Sequence, residues 1–215
     1  MPKRKLQRFA EVETFPNVFY LPFGEEKFSK KGVWNKFFGN NNPIVLELGC
    51  GKGEYTVGLA KKYPHKNFIG VDIKGNRIWR GAKTAVEDKM NNVAFLRTRI
   101  DLIEKAFAKN EVSEIWITFP DPQPKKENKR LTAMVFLVRY RKIMQQKGIV
   151  HLKTDSKELF DFTMKLIQKN KLKLLDSTDD LYSQKGREEV KSIQTYYEEK
   201  FLKQGKKITY IKFQL

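Results

Sequence analysis

The sequence predicts an α/β fold: a doubly wound, mostly parallel sheet of seven strands with helices on both faces. Three observations predict it. A short apolar run, Ile44, Val45, Leu46 and Leu48, delivers the acidic Glu47 straight into a turn built on Gly49, Gly51 and Gly53. A second apolar run, NFIGVDI over 67–73, places Asp72 near its end. From there to the C-terminus, short apolar runs alternate with stretches of helical periodicity, the rhythm of βαβ units.

In chain order, MPKRKLQRF carries Lys3, Arg4, Lys5 and Arg8 on a segment too short and polar to fold alone. Residues 1–13 therefore read as a flexible basic arm, binding phosphate or serving as a solubilising tail, and 14–215 as a single domain. Residues 14–42 mix aromatic residues with Pro and Gly and are expected to be irregular or short-helical, packed on the sheet ahead of its first strand. That strand ends at the glycine turn, after which residues 54–62 continue as a helix. Glycine there opens backbone angles closed to other residues and lets a ligand approach the main chain. The spacing is G-x-G-x-G, not the G-x-G-x-x-G of dinucleotide sites, and the P-loop pattern is absent. Glu47 would repel a pyrophosphate but suits a cationic ligand. Asp72, 19 positions beyond Gly53, stands where an acid can accept both ribose hydroxyls of an adenosine.

A helix is expected over 75–88, a third strand over 92–98, and a short helix from Asp101, which with Glu104 fits a capping box. A fourth strand over 114–119 ends in Pro120-Asp121-Pro122-Gln123-Pro124-Lys125-Lys126. Three prolines without amide donors make this a stiff loop. In doubly wound sheets ligands bind beyond the carboxyl ends of the strands, so this loop should face the glycine turn, with Asp121 where substrate meets cofactor. Lys125, Lys126, Lys129 and Arg130 follow as a basic run suited to phosphate contacts. Residues 131–144 show Leu131, Met134, Val135 and Val138 at helical spacing, read as core. GIVHLKT over 148–154 is the fifth strand. Asp155 behind it, with Glu158, fits a helix N-cap, a ligand role, or both. Residues 171–175 and 207–215 supply the last two strands. Between them the polar stretch 176–206 contains Thr195-Tyr196-Tyr197-Glu198, which reads as a helix start.

Forty-three Lys and Arg against 25 Asp and Glu give a formal charge of +18, which favours a polyanionic partner. The single cysteine, Cys50, rules out an internal disulfide and a multi-cysteine metal site, and its place in the glycine turn suggests packing. The two histidines, His65 and His151, are not ligand-spaced, so no metal is expected. No run approaches the ~20 apolar residues of a membrane span and no secretory signal is evident, so a cytoplasmic location is expected.

Taken together, ELGCGKG, FIGVDI, FPDPQPKK, LKTD, TYYEEKF, Trp34-Asn35 and Phe38-Gly39-Asn40 appear in the order and spacing of the bacterial tRNA (guanine-N7-)-methyltransferases, a resemblance covering about residues 30–215. It implies a Rossmann-like class I methyltransferase fold and transfer of methyl from S-adenosylmethionine to N7 of the variable-loop guanosine at tRNA position 46. Matched by residue, it implies that Glu47, Gly49, Gly51, Asp72 and Asp121 contact S-adenosylmethionine, with Asp121 also catalytic. It further implies that Lys125, Asp155, Thr195, Tyr196, Tyr197 and Glu198 bind the target nucleoside, and that Lys126, Lys129 and Arg130 touch RNA. Three departures stand out. Relatives usually carry Asp where Arg99 stands, so adenine would be met by main-chain groups of Arg99 and Ile100. The usual proline-loop Trp is Gln123, and the basic run after Lys126 is about two residues shorter. The rival expectations are an exocyclic-amine methyltransferase, since DPQP loosely resembles a D/N-P-P-Y/F loop, and a non-catalytic RNA-binding protein on the same fold. No obligatory protein partner is evident; monomer and homodimer are both open.

Overall fold

The computed structural model describes residues 2–215, with side chains from residue 5 onward. Its centre is an eight-stranded sheet. The expected strands are β2 (Ile44–Leu48), β3 (Asn67–Asp72), β4 (Val93–Arg97), β5 (Val112–Thr118), β6 (Met144–Thr154), β7 (Lys173–Thr178) and β8 (Thr209–Gln214), and the additional one is β1 (Val18–Tyr20). The order is β1-β4-β3-β2-β5-β6-β8-β7. β1 through β6 pair in parallel, and β8 runs antiparallel between β6 and β7. From β2 the chain winds outward through β3 and β4, then returns to the other side of β2 as β5. The switch point between β2 and β5 puts the glycine turn beside the proline loop, as expected of this topology.

Period-two alternation assigns the two faces. Ile44, Leu46 and Leu48 join a cluster with Leu137, Tyr140 and Leu159. These last three come from α6 (Met134–Ile143) and α7 (Lys157–Lys169). Short α2 (Trp34–Phe38) and α5 (Ile103–Ala106) cover the same face, with Trp34 stacked 5.5 Å from Phe107. Val45, Phe68 and Phe95 point the other way, onto Tyr55 and Leu59 of α3 (Glu54–Lys62) and Ile78 and Ala82 of α4 (Gly75–Glu87). The stretch between β7 and β8 holds α8 (Glu188–Lys191) and α9 (Tyr196–Lys203). Among the described residues no helix is long and apolar enough to cross a membrane.

The structure corrects several expectations. The N-terminal arm is a helix, α1 (Pro2–Val12); of its predicted phosphate contacts, the Lys3 and Arg4 side chains lie outside the described residues. It folds because α4 supplies what the segment lacks alone. Val12 is buried, Glu11 accepts from Trp79 Nε1 and Lys83 at 2.8 and 2.9 Å, and the Arg8 guanidinium lies 4.5 Å from the Trp79 ring. β1 escaped detection because three residues carry too little periodicity. β6 begins before Gly148, pairing Met144 with Val112 ahead of an irregularity. Asp101 caps no helix; it is held by Arg99 at 3.0 and 2.7 Å. The cap of α7 is Ser156, which accepts from Leu159 N, while Asp155 is turned toward Lys206 at 2.7 Å. A hydroxyl one residue later takes the capping geometry, leaving the carboxylate for the nearby ammonium.

Candidate active site

At the carboxyl ends of β2 to β5 lies a cleft of about 470 Å³. It brings together Gly49, Asp72, Arg99, Ile100, Asp121 and Lys129 from four separate stretches of sequence.

The glycine turn forms one wall. Gly49 has φ +76, a left-handed angle that a side chain would resist, and its N–H, like that of Cys50, donates to Val71 O at 2.8 and 3.0 Å. A Cβ on Gly53 would stand 2.5 Å from the Phe95 ring, so glycine is required there by packing. Cys50 is buried, with its thiol pushed well up by burial, which fits the packing role expected of it. Asp72 joins the turn to the next element: Oδ2 accepts from Gly51 N at 2.9 Å and Oδ1 from Lys74 N at 2.8 Å. One carboxylate thus fixes the turn against the start of α4 and keeps further lone pairs at the cleft. Ile73 and Ile100 flank it with apolar surface.

Glu47 stands behind the turn and does not line the cleft. Its carboxylate accepts from Thr56 N at 2.8 Å, from the Thr56 hydroxyl, and from Thr118 Oγ1 at 2.6 Å. It ties the first turn of α3 to the end of β5 and so shapes the floor of the site. Burial pushes its pKa up to about 7 against these hydrogen bonds.

The proline loop forms the opposite wall and is held in a strained conformation. Phe119 and Gln123, neither of them glycine, have φ +47 and +46. Phe119 N donates to Lys153 O at 2.8 Å, and Gln123 N donates to Asp121 Oδ1 at 3.0 Å, which aims the acid. Arg130 supports the loop from beneath. It is 1% exposed, donates to Pro122 O at 3.0 Å and pairs with Glu127 and Glu158. This corrects its expected place on the RNA surface: a guanidinium with five donors satisfies a carbonyl and two carboxylates at once. Lys125, Lys126 and Lys129 are exposed.

The segment leading into α9 contributes no residue to the cleft lining but lies beside the glycine turn. Thr195 caps that helix, accepting from Glu198 N at 3.2 Å, so the helix start is where the sequence predicts it. Tyr196 N donates to Glu54 at 2.9 Å and the Lys52 ammonium lies 4.3 Å from the Tyr196 ring, which sets the segment beside the glycine turn. Phe201 approaches Phe119 at 5.9 Å and Tyr197 at 6.4 Å. Tyr196 and Tyr197 are 54% and 46% exposed, whereas Glu198 is fully buried. Its Oε1 meets Lys153 Nζ and the Tyr182 hydroxyl, both at 2.7 Å. Glu198, expected to meet substrate, is thus buried in this structure, and its Oε2 has no hydrogen-bond partner among the described residues. Sequence reasoning also missed Lys153, although a lysine near the end of a central strand is rarely buried without a partner, and missed Ile73 and Leu131 as lining residues.

Neither histidine lines the cleft. His151 is buried against Trp116, with ring centroids 3.8 Å apart, and shares a 2.7 Å hydrogen bond with Tyr210. Among the described residues no group of three or more His, Cys, Asp or Glu is placed to hold a metal. The cleft has room for a nucleoside-sized ligand, with Asp72 between the apolar Ile73 and Ile100 and a second acid, Asp121, presented from a stiff loop.

The known proteins to which the chain is similar are methyltransferases. A family model described as "Putative methyltransferase" matches residues 41–211. The chain is 52% identical to a protein of Bacteroides thetaiotaomicron named tRNA (guanine-N(7)-)-methyltransferase, over all of this chain and 87% of that one. It is 54% identical to a protein of Christiangramia forsetii with the same name, over 99% and 98% of the two chains. Among solved structures, the 16S rRNA methyltransferase KamB superposes with a TM-score of 0.66 at 13% identity, over 89% of this chain and 95% of that one. An antibiotic-related methyltransferase superposes with a TM-score of 0.63 at 16% identity, over 85% and 92%. At those identities the structures speak for the fold.

Proposed function

The chain belongs to the tRNA (guanine-N7-)-methyltransferase family, and from that premise we propose that it methylates N7 of the variable-loop guanosine at tRNA position 46, in the cytoplasm, with S-adenosylmethionine as donor. The observation that carries the reading is the convergence of Asp72 and Asp121 on one cleft between the glycine turn and the proline loop.

The residues present fit the cofactor. Asp72 is assigned to the ribose hydroxyls, Ile73, Ile100 and the main chain of Arg99 to the adenine, and Gly49, Gly51 and Asp121 to the amino-acid end; all but Gly51 line the cleft. When bound, S-adenosylmethionine supplies a methyl group on a sulfonium. Guanine N7 carries a lone pair and no proton, so no general base is required. Alignment is the main demand on the protein, and it can contribute about 7 to 11 kcal/mol. The product purine is cationic, and a carboxylate such as Asp121 stabilises the charge as it develops. Lys125, Asp155, Thr195, Tyr196 and Tyr197 are assigned to the nucleoside. Lys126 and Lys129 are assigned to phosphates, while Glu47, Glu198 and Arg130 support from within.

The test is to incubate the purified protein with unmodified tRNA and methyl-labelled S-adenosylmethionine, then locate the label by reduction and aniline cleavage. Scission in the variable loop is expected. Label without scission would move the reaction to an exocyclic amine, and absence of label with cofactor and tRNA both bound would leave a binding protein.

A further inference from the structure

Lys153 is fully buried at the end of β6, one position before the Thr-Asp pair. Its ammonium donates to Val190 O at 2.8 Å and Ile193 O at 3.2 Å, pairs with Glu198 at 2.7 Å, and lies 5.2 Å from the Tyr55 ring. A single cation therefore holds three points spread over residues 190–198. This stretch has little regular structure of its own to fix its path: α8 has four residues, and α9 starts only after Thr195. The carbonyl of the same lysine receives Phe119 N, so the start of the proline loop and the 190–198 stretch are both referred to one residue.

Filling space does not explain the choice of residue. A buried ion pair can often be exchanged for apolar side chains of similar volume without loss of stability. An apolar side chain, however, cannot set the direction of two carbonyls and a carboxylate. We propose that Lys153 is a positioning residue for the substrate, clamping the 190–198 stretch to the sheet so that Thr195, Tyr196 and Tyr197 stand beside the glycine turn. The role rests on the reading above that these residues meet the target nucleoside.

The test compares K153M, E198Q and the K153M/E198Q pair. K153M strands a buried carboxylate and is expected to melt below the parent, whereas the double variant removes both charges and is expected to recover much of that loss. In the double variant, kcat/KM for tRNA should fall about 100-fold through misplacement of the target, with cofactor affinity unchanged. E198Q alone keeps Lys153 on its two carbonyls and should lose less. A double variant no worse than E198Q, or one with parental kcat/KM, overturns the proposal. Hydrogen exchange supplies a readout independent of activity: amides of 188–203 should exchange faster in the double variant while the rest of the sheet is unchanged, and parental exchange there also overturns it. If the parent itself fails to methylate guanine N7, the functional reading fails, and the exchange result still decides whether Lys153 holds the segment.

Discussion

Glu47 shows how a site can be assembled at the expense of stability. Burial raises its pKa from 4.5 to about 7, so the folded protein holds that proton more tightly than the unfolded chain does. Its favourable contribution is complete below about pH 4.5, falls as pH rises through 7, and levels off above that, a swing of about 3 kcal/mol. Glu47→Gln keeps the shape without the titration. The difference in unfolding free energy between variant and parent, from urea melts at pH 5 to 8, should widen in favour of the variant as pH rises; parallel profiles would refute the assignment. Glu114 acts in another window. Burial alone would raise it, but His151 and Lys66 outweigh burial and hold it at about 2, so its contribution is lost as pH falls below 4.5. Asp121 carries a different burden. Asp121→Asn should cost about 100-fold in kcat if its charge faces the developing cation, and a variant with full turnover and full cofactor affinity would remove Asp121 from the chemistry.

At the scale of elements, the proline loop combines stiffness with strain. Gln123 sits at φ +46, a position that costs a non-glycine residue roughly 1 to 2 kcal/mol. Gln123→Gly relieves this but frees the unfolded chain by about 0.5 to 1 kcal/mol, so the melting temperature should hold or rise by a few degrees while kcat falls as Asp121 loses its fixed aim. A parental kcat would show that the stiffness of the loop is not used. The loop's position was legible because three prolines leave few conformations, and the strands because β2, β3 and β4 are buried along nearly their whole length. The Thr195 helix start was legible because its cap is local. What escaped is non-local. α1 depends on Trp79 and Lys83 more than 60 residues away in sequence, and Arg130 looks like a surface cation until Pro122 and Glu158 close over it. Glu198 likewise reads as an exposed helix residue, and only Lys153 and Tyr182 draw it inward.

Over the whole molecule, a formal charge of +18 supplies attraction for RNA before any contact is made, and the question is whether that field or the loop decides docking. Each phosphate neutralised releases counterions, so log affinity for tRNA should fall linearly with log salt, by about 0.7 to 0.9 per contact. Cofactor affinity, set within the cleft, should change far less. Lys126→Gln with Lys129→Gln removes two exposed cations at the cleft mouth and should flatten the tRNA slope by about 1.5. Lys165→Gln with Lys169→Gln removes two from the later turns of α7. That helix runs back from the carboxyl end of β6, so these turns lie toward the opposite end of the sheet. The net charge changes equally in both variants. A slope altered only by the first pair would place phosphates on the proline loop; equal changes would mean that the tRNA responds to the summed field and that Lys126 and Lys129 hold no particular phosphate.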